Sequence, residues 1–401
     1  MQIRPILAAL RRHRVAAFLI GMEIALACAI LCNALFLISA RIDTMQVSSG
    51  VDEDRLVVVS LDGVDDNAAA DLAARLRSGL AGIAGVQSVA VTNAVPFGQQ
   101  AGEAGFRLRA DDPHYDNQGH FYVGGPALPS TLGLQLAEGR WFTPDEFGPI
   151  SEFLPRSPSI MLDSEYARTL WPGESPLGKT VYAIDKAFRV VGTYRSLLRP
   201  NPNPGHTHNT LLLAGIPGKG LASVYVLRTA PGKADQVLQA ARALVARVAP
   251  AVVVNQDYTD TISGLRRSYF AADRAMAGML VGVIAALLLV TALGIVGLAS
   301  FWVQQRRKQI GVRRALGATR GDILRYFQTE NFLIVSFGIA LGMVLAFGLN
   351  LVLMSRYELP RLPLFYLPAG ALLLWVLGQL AVLAPALRAA AVPPVVATRS
   401  V

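Results

Sequence analysis

The chain has 401 residues, 53% of them hydrophobic and 16% charged, with a mean hydropathy of +0.41. That is too apolar for an ordinary soluble protein and too polar for one lying wholly in lipid. Its formal charge of +9 is uneven: residues 41–271 carry 21 basic against 23 acidic side chains, so the excess belongs to the flanks and argues against a nucleic-acid surface.

Residues 1–14 carry Arg4, Arg11, Arg12 and Arg14 ahead of an apolar run over 15–40. The run is longer than the core of a signal peptide and lacks a convincing cleavage site, so it predicts a first membrane helix. ALAC, ending at Cys28, faintly resembles a lipoprotein cleavage box, but hydrophobicity continues unbroken to Ala40. Cys28 and Cys32 share one helix face and read as small, soft packing residues. No cysteine lies elsewhere, so disulfides give no reading of the compartment. Glu23 is an intramembrane acid and by default a functional candidate, although it lies near the end from which it can snorkel.

Residues 41–271 form the soluble portion, expected outside the membrane. A strand over 56–61, a helix over 68–80 and a strand over 88–92 are echoed by 223–228, 233–248 and 251–255. These two βαβ units predict an α+β lobe from about 50–94 and 220–258; two unrelated βα stretches are the alternative. Residues from about 95 to 219, rich in Gly, Pro and short β runs, predict a mostly β subdomain inserted between its halves. Pro200 to Asn209, PNPNPGHTHN, reads as a turn-rich loop. His206 and His208 lie there without an accompanying acid or cysteine, which favours a polar loop over a metal site.

GESPLGKT, Gly173 to Thr180, fits the phosphate-loop pattern in full. That loop must follow a strand and open a helix whose N–H groups hold phosphates. Here a helical SEYARTLW precedes it, a β-like VYAI follows and Pro176 occupies the loop, so no nucleotide site is expected. Residues 261–274 then read as a stalk helix running without a break into the second span.

Three further spans are expected at 275–303, 331–354 and 367–387, with a short outer turn over 355–366 and a tail over 388–401. Trp302, Tyr326, Tyr357, Phe365 and Tyr366 fall near span ends, as membrane-interface aromatics should. Gly278-x-x-x-Gly282 and Gly338-x-x-x-Gly342 permit close helix approach, within one chain or between two. The second and third spans are joined by 304–330, where Arg306, Arg307, Lys308, Arg313, Arg314, Arg320 and Arg325 surround Asp322. Positive charge held this close to spans marks the cytoplasmic side, which places both termini there. Ile310, Val312, Leu316, Ile323 and Leu324 add apolar anchors, and Gly311, Gly317 and Gly321 allow turns. Contact with lipid headgroups needs the charges alone. Anchors and turns suit a short amphipathic helix offered to a partner.

Within this loop, IGVRRALGATRGDIL resembles the cytoplasmic loop of MacB/FtsX-like ABC transporter permeases, whose usual form is R-x-x-E-I-G-x-x-R-A-x-G-A. Ile310, Gly311, Arg314, Ala315, Gly317 and Ala318 match in place. Gln309 stands where the family often has Glu, so any ion pair of that acid is lost. LGLQLAEGRWFTPDE and the run from Ser159 to Ser196 are similar to the extracytoplasmic core of MacB-type permeases. The resemblance implies an α-helical membrane protein with four transmembrane helices and a large extracytoplasmic α+β domain inserted between helices 1 and 2. It implies residence in the bacterial inner membrane, with the large domain periplasmic. It makes Arg306, Arg307, Ile310, Gly311, Arg313, Arg314, Ala315, Leu316, Gly317 and Ala318 an element that docks on a separate ABC ATPase subunit. It also implies a permease dimer, with a periplasmic adaptor and outer-membrane duct as further partners. No catalytic set, cofactor or metal is expected. The function implied is a permease subunit coupling ATP hydrolysis elsewhere to efflux or envelope transport. Family substrates include macrolides, peptides and lipoproteins, and nothing in the residues selects one. The alternative is an FtsX-like regulator that activates an envelope hydrolase or transmits a signal.

Overall fold

The structure, a computed structural model, describes residues 14–99, 102–151, 154–183, 186–202, 207–357 and 362–391. It divides into two units, Gln46–Ala271 and the remainder. Helix α1, Arg14–Met45, carries the first apolar run and continues past its expected end at 40.

The unit that follows begins β1 (Leu56–Asp62), α2 (Ala69–Ala81), β2 (Val86–Thr92), β3 (Glu103–Phe106), β4 (Asn117–Gly124), α3 (Leu128–Leu132) and β5 (Leu136–Gly139). It continues β6 (Ile150–Ser151), β7 (Leu154–Pro155), β8 (Ser159–Asp163), α4 (Ser164–Leu170), β9 (Thr180–Ala183), β10 (Lys186–Tyr194) and β11 (Thr210–Ala214). It ends with β12 (Val224–Thr229), α5 (Ala234–Val248), β13 (Val253–Val254) and α6 (Ile262–Tyr269).

The described strands, apart from the β6–β7 ribbon, form one sheet in the order β13-β1-β12-β2-β4-β11-β8-β10-β5, with β3 on β4 and β9 on β10. β12 lies between β1 and β2 and runs antiparallel to both, and β13 pairs with β1. The two strand–helix–strand units are therefore interleaved, in the split βαβ manner. Leu56 to Leu61 are all buried because the strand is central and covered. Leu72, Leu76 and Leu80 of α2 recur at helical spacing and meet Val237, Ala241 and Leu244 of α5 in one core. Gly79 lets these helices close up, since a Cβ there would lie 3.1 Å from Leu244.

Apart from the β6–β7 ribbon, the strands of the segment expected as an inserted subdomain join the same sheet as the lobe's strands. β2 passes onto β4 through the pair Thr92–Gly124. Beyond that pair the Asn93 amide acts as a stitch, donating to Phe121 O at 2.9 Å and accepting from Val123 N at 2.8 Å. The pattern 3.6 versus 2 distinguishes helix from strand but carries no information on which strands join.

The other unit resumes with α7 (Ala271–Gln305), followed by α8 (Arg307–Ala315), α9 (Arg320–Tyr357) and α10 (Tyr366–Ala390). Among the described residues, four helices, α1, α7, α9 and α10, are long and apolar enough to cross a membrane. The expected unbroken stalk is interrupted at Phe270, between α6 and α7. Phe270 adopts ψ 14, its ring is buried, and it packs against Phe97 and Tyr269 at centroid distances of 5.7 and 4.9 Å. Burying that ring outweighs helix continuity. α9 also begins well before the expected 331, absorbing the second half of the basic loop. The expected outer turn falls partly on 358–361, outside the described residues.

α1 and α9 meet along small residues. A Cβ on Gly338 would lie 2.8 Å from Ile24, and one on Gly342 would lie 2.5 Å from Cys28. Asn33 donates to Ala346 O at 3.1 Å and Asn331 to Gly378 O at 2.8 Å, so buried amides tie α1 to α9 and α9 to α10.

Candidate functional site

The basic loop is a helical hairpin built on alternating faces of α8. Arg306, Ile310 and Arg314 fall at i, i+4 and i+8 and turn toward the bundle. Nη1 of Arg306 lies 3.0 and 2.9 Å from the two oxygens of Glu330 in α9, and both side chains are buried. Ile310 is buried among Ile323, Phe327, Ala386 and Ala389. Arg314 donates to Ala390 O at 3.0 Å, and the Arg313 guanidinium sits 5.0 Å from the centre of the Tyr326 ring.

The hairpin's tip is closed by its own backbone. Gly317 N donates to Arg314 O at 3.2 Å and Ala318 N to Arg313 O at 3.1 Å, the paired bonds of a Schellman cap. Gly317 holds φ +99, a conformation glycine adopts without strain. One residue later α9 starts with a reciprocal cap. Thr319 Oγ1 accepts from Asp322 N at 3.1 Å, and Asp322 Oδ2 accepts from Thr319 N at 3.0 Å. Two caps fix the turn between the helices without a partner.

The other face of α8 is left over. Lys308, Val312, Ala315 and Leu316 recur at i, i+4, i+7 and i+8 and are exposed, Val312 to 51% and Leu316 to 83%. Arg307 and Arg320 are exposed beside them. The arrangement is a rigid, basic-edged helix presenting two bare aliphatic side chains.

The predicted residues thus separate. Arg306, Ile310 and Gly311, expected at a docking face, are buried, because a helix this short can be anchored only by spending one face on the bundle. Arg307, Ala315, Leu316 and Gly317 are exposed, Arg313 lies over Tyr326, and Ala318 is half-buried in the cap. Gly338 and Gly342 lie at a seam within the chain, whereas no atom of the described residues comes within 4 Å of a Cβ on Gly278 or Gly282. The Glu23 carboxylate faces Gly294 of α7, where an added Cβ would lie 2.8 Å from it. Cys28 and Cys32 are buried free thiols against Gly342 and Gly370. Glu330 and the Thr319–Asp322 cap were not singled out from the sequence. The signal for the cap was the T-x-x-D spacing just before an apolar run; Glu330 had a signal in being an acid at the mouth of a span.

In the unit Gln46–Ala271, GESPLGKT lies between α4 and β9, the reverse of a phosphate loop, and Lys179 is paired with Glu174. His208 Nδ1 is 3.2 Å from Ser196 Oγ, while His206 lies outside the described residues. Among the described residues no three His, Cys, Asp or Glu side chains are grouped to hold a metal.

Residues 16–256 match the family described as MacB-like periplasmic core domain, and residues 281–394 match FtsX-like permease C-terminal. The chain is 28% identical over 227 residues to the macrolide export ATP-binding/permease protein MacB of Sodalis glossinidius, covering 53% of this chain and 33% of that one. It is 26% identical over 290 residues to the pyoverdine export ATP-binding/permease protein PvdT of Pseudomonas aeruginosa, covering 70% and 42%. It is 25% identical over 284 residues to the uncharacterized ABC transporter permease YknZ of Bacillus subtilis, covering 66% of each. The chain thus spans less than half the length of the first two relatives. The core-domain match and the four apolar helices make this a multi-pass inner-membrane protein with a large periplasmic domain between its first two spans. Since one family description covers more than half of it, the chain belongs to the MacB/FtsX-like ABC transporter permease family.

Proposed function

We propose that the outward face of α8 is where a cytoplasmic ABC ATPase takes hold of this permease. The observation that carries the reading is the exposure of Val312 and Leu316 on a helix whose opposite face is buried and whose tip is capped at both ends. An apolar pair on a pre-organised helix fits a groove on a partner, and Arg307, Lys308 and Arg320 suit acids at its rim. ATP-driven closure of the partner then displaces α8 together with α9, to which the Arg306–Glu330 pair and Ile310 bind it. In this account both termini and the hairpin are cytoplasmic, two copies of the permease work with an ATPase pair, and the motion is delivered to the periplasmic domains. The cargo is an exported organic compound, the class to which the relatives' names refer.

Leu316→Asp tests the docking face, because Leu316 is 83% exposed among the described residues. ATPase activity stimulated by the permease in co-reconstituted membranes should fall at least tenfold, with insertion and thermal stability unchanged. Full stimulation by the variant would refute the assignment. Arg314→Glu is a poorer test, since Arg314 also holds Ala390 O.

A further inference from the structure

Between α8 and α9 lies a cleft of about 20 Å³, lined by Arg306, Gln309, Arg313 and Tyr326, with the buried Ile310, Ile323 and Phe327 completing its wall. Its interior has room for about one oxygen atom. The polar groups that line it are donors in want of acceptors. Arg306, itself buried, makes its side-chain hydrogen bonds among the described residues through Nη1 alone, to Glu330 at 3.0 and 2.9 Å and to the Tyr326 hydroxyl at 3.4 Å. Its Nε and Nη2 are left over, on a side chain that lines the cleft. The Tyr326 hydroxyl accepts from Arg306 and donates to no described group, so its proton is open to an acceptor.

Charge points the same way. Arg313 is exposed, rests over the Tyr326 ring and forms no ion pair among the described residues. No acid among the described residues lines the cleft: Glu330 is committed to Arg306, and Gln309 stands where the family often has Glu. The Arg313 charge is therefore uncompensated, and guanidinium groups with unfilled donors call for an anion's oxygens. Position selects the anion. Arg306 follows the last residue of α7, and Tyr326 lies ahead of the apolar run of α9. Both helices are long and apolar enough to cross a membrane, so the cleft lies at the ends of two spans, the level of lipid phosphates. A headgroup confined to that level meets the cleft at a far higher effective concentration than a free anion does.

We infer that this cleft holds the phosphodiester of an anionic membrane lipid. One non-bridging oxygen enters and accepts from Arg306 and the Tyr326 hydroxyl, while Arg313 and Gln309 hold the rest of the phosphate at the mouth. The small interior admits an oxygen and keeps the glycerol and acyl chains outside, where the spans meet lipid. A bound lipid thereby fastens α8 to α9 beside the Arg306–Glu330 pair. The inference is independent of the docking role proposed for the other face of α8, since neither Val312 nor Leu316 lines the cleft.

The test titrates the full chain, purified in a neutral detergent, with phosphatidylglycerol. Retained lipid is read by native mass spectrometry, and stability by the thermal unfolding midpoint. One lipid should bind each chain ahead of any others and raise the midpoint. Gln309→Glu and Arg313→Gln, both at exposed positions, should each weaken retention by about fivefold or more and remove the gain in midpoint. Phosphatidylcholine, whose headgroup has no net charge, should bind more weakly than phosphatidylglycerol. Inorganic phosphate at the same concentration should neither displace the lipid nor raise the midpoint. Equal retention in the wild type and both variants, or equal binding of the two lipids, would overturn the inference. So would displacement by phosphate at equal concentration, which would make the ligand a free anion.

Discussion

Arg306 and Glu330 form a buried ion pair, 2.9 Å at its shorter contact, between the residue that closes α7 and the fourth turn region of α9. The pair makes the cytoplasmic hairpin part of the helix bundle rather than a loop slung beneath it. Trp302 adds its ring 5.7 Å from the Arg306 guanidinium. What moves α8 must therefore move α9.

Removing one partner leaves the other charge buried and uncompensated, which costs about 3–5 kcal/mol, whereas an apolar pair of similar volume is close to neutral. Glu330→Ala should accordingly destabilise the protein severely, and Arg306→Met/Glu330→Leu should recover most of the loss. Thermal unfolding in nanodiscs checks both. Wild-type stability in Glu330→Ala would mean that the pair is not buried in the membrane-embedded protein.

Gly317→Val tests the tip. Nothing in the described structure lies within 4 Å of the added Cβ, so no clash is expected. The backbone at φ +99 is the obstacle, worth about 1–3 kcal/mol for a non-glycine residue. Amide exchange at 314–318 should accelerate, reporting loss of the Schellman bonds. Unchanged protection would show that the cap tolerates the substitution.

The two glycine pairs should respond differently. Gly342→Val drives a side chain into Cys28 and the Ala25 backbone, and should unfold or splay α1 from α9, with a loss of about 1–3 kcal/mol or more. Gly278→Val meets no described atom within 4 Å and should leave the stability of one copy unchanged. Any effect of Gly278→Val on copy number, read by native mass spectrometry, would identify that stretch as a seam between copies. Equal destabilisation by both variants would contradict the packing described.

The periplasmic domain carries a pH-sensitive acid. Burial raises the Asp163 carboxyl to about 6, although it accepts from Glu165 N at 2.8 Å and Leu197 N at 3.1 Å. Because the folded value lies above the ordinary 3.8, the protonated form is favoured by folding. The associated stability is full below about pH 4 and is lost as pH rises through about 6, by an amount on the order of 3 kcal/mol. Glu146 acts oppositely: Arg140 holds it down to about 2, so its contribution is present above the ordinary value of 4.5 and lost as pH falls through about 2. Denaturation of the full chain from pH 4 to 7 should show the first slope, and Asp163→Asn should abolish it. The same slope in Asp163→Asn would assign the titration to another group.

Much of the architecture was legible because it depends on one-dimensional quantities. Span length, arginine placement and apolar period gave four helices, an inserted α+β domain and a basic element between the second and third spans. The turn at Gly317 and the reversed context of GESPLGKT were readable for the same reason. Pairing across space was not. Nothing local to Asn93 announces that its amide carries β2 over to β4, and Phe270 breaks the stalk only because Phe97 awaits its ring. The faces of α8 were hidden by the density of arginines, which obscured that 306, 310 and 314 form one stripe and 308, 312 and 316 another. Glu330 was passed over because the apolar run after it drew the reading toward the membrane.

The most direct measurement places a photo-crosslinking side chain at position 316 of the full chain in bacterial inner membranes. The account predicts an adduct with a nucleotide-binding polypeptide on the cytoplasmic side, its yield changing when ATP is supplied, and no such adduct from position 279 within α7. Labelling of position 316 by an impermeant reagent from the periplasmic side, or a yield indifferent to ATP, would contradict it.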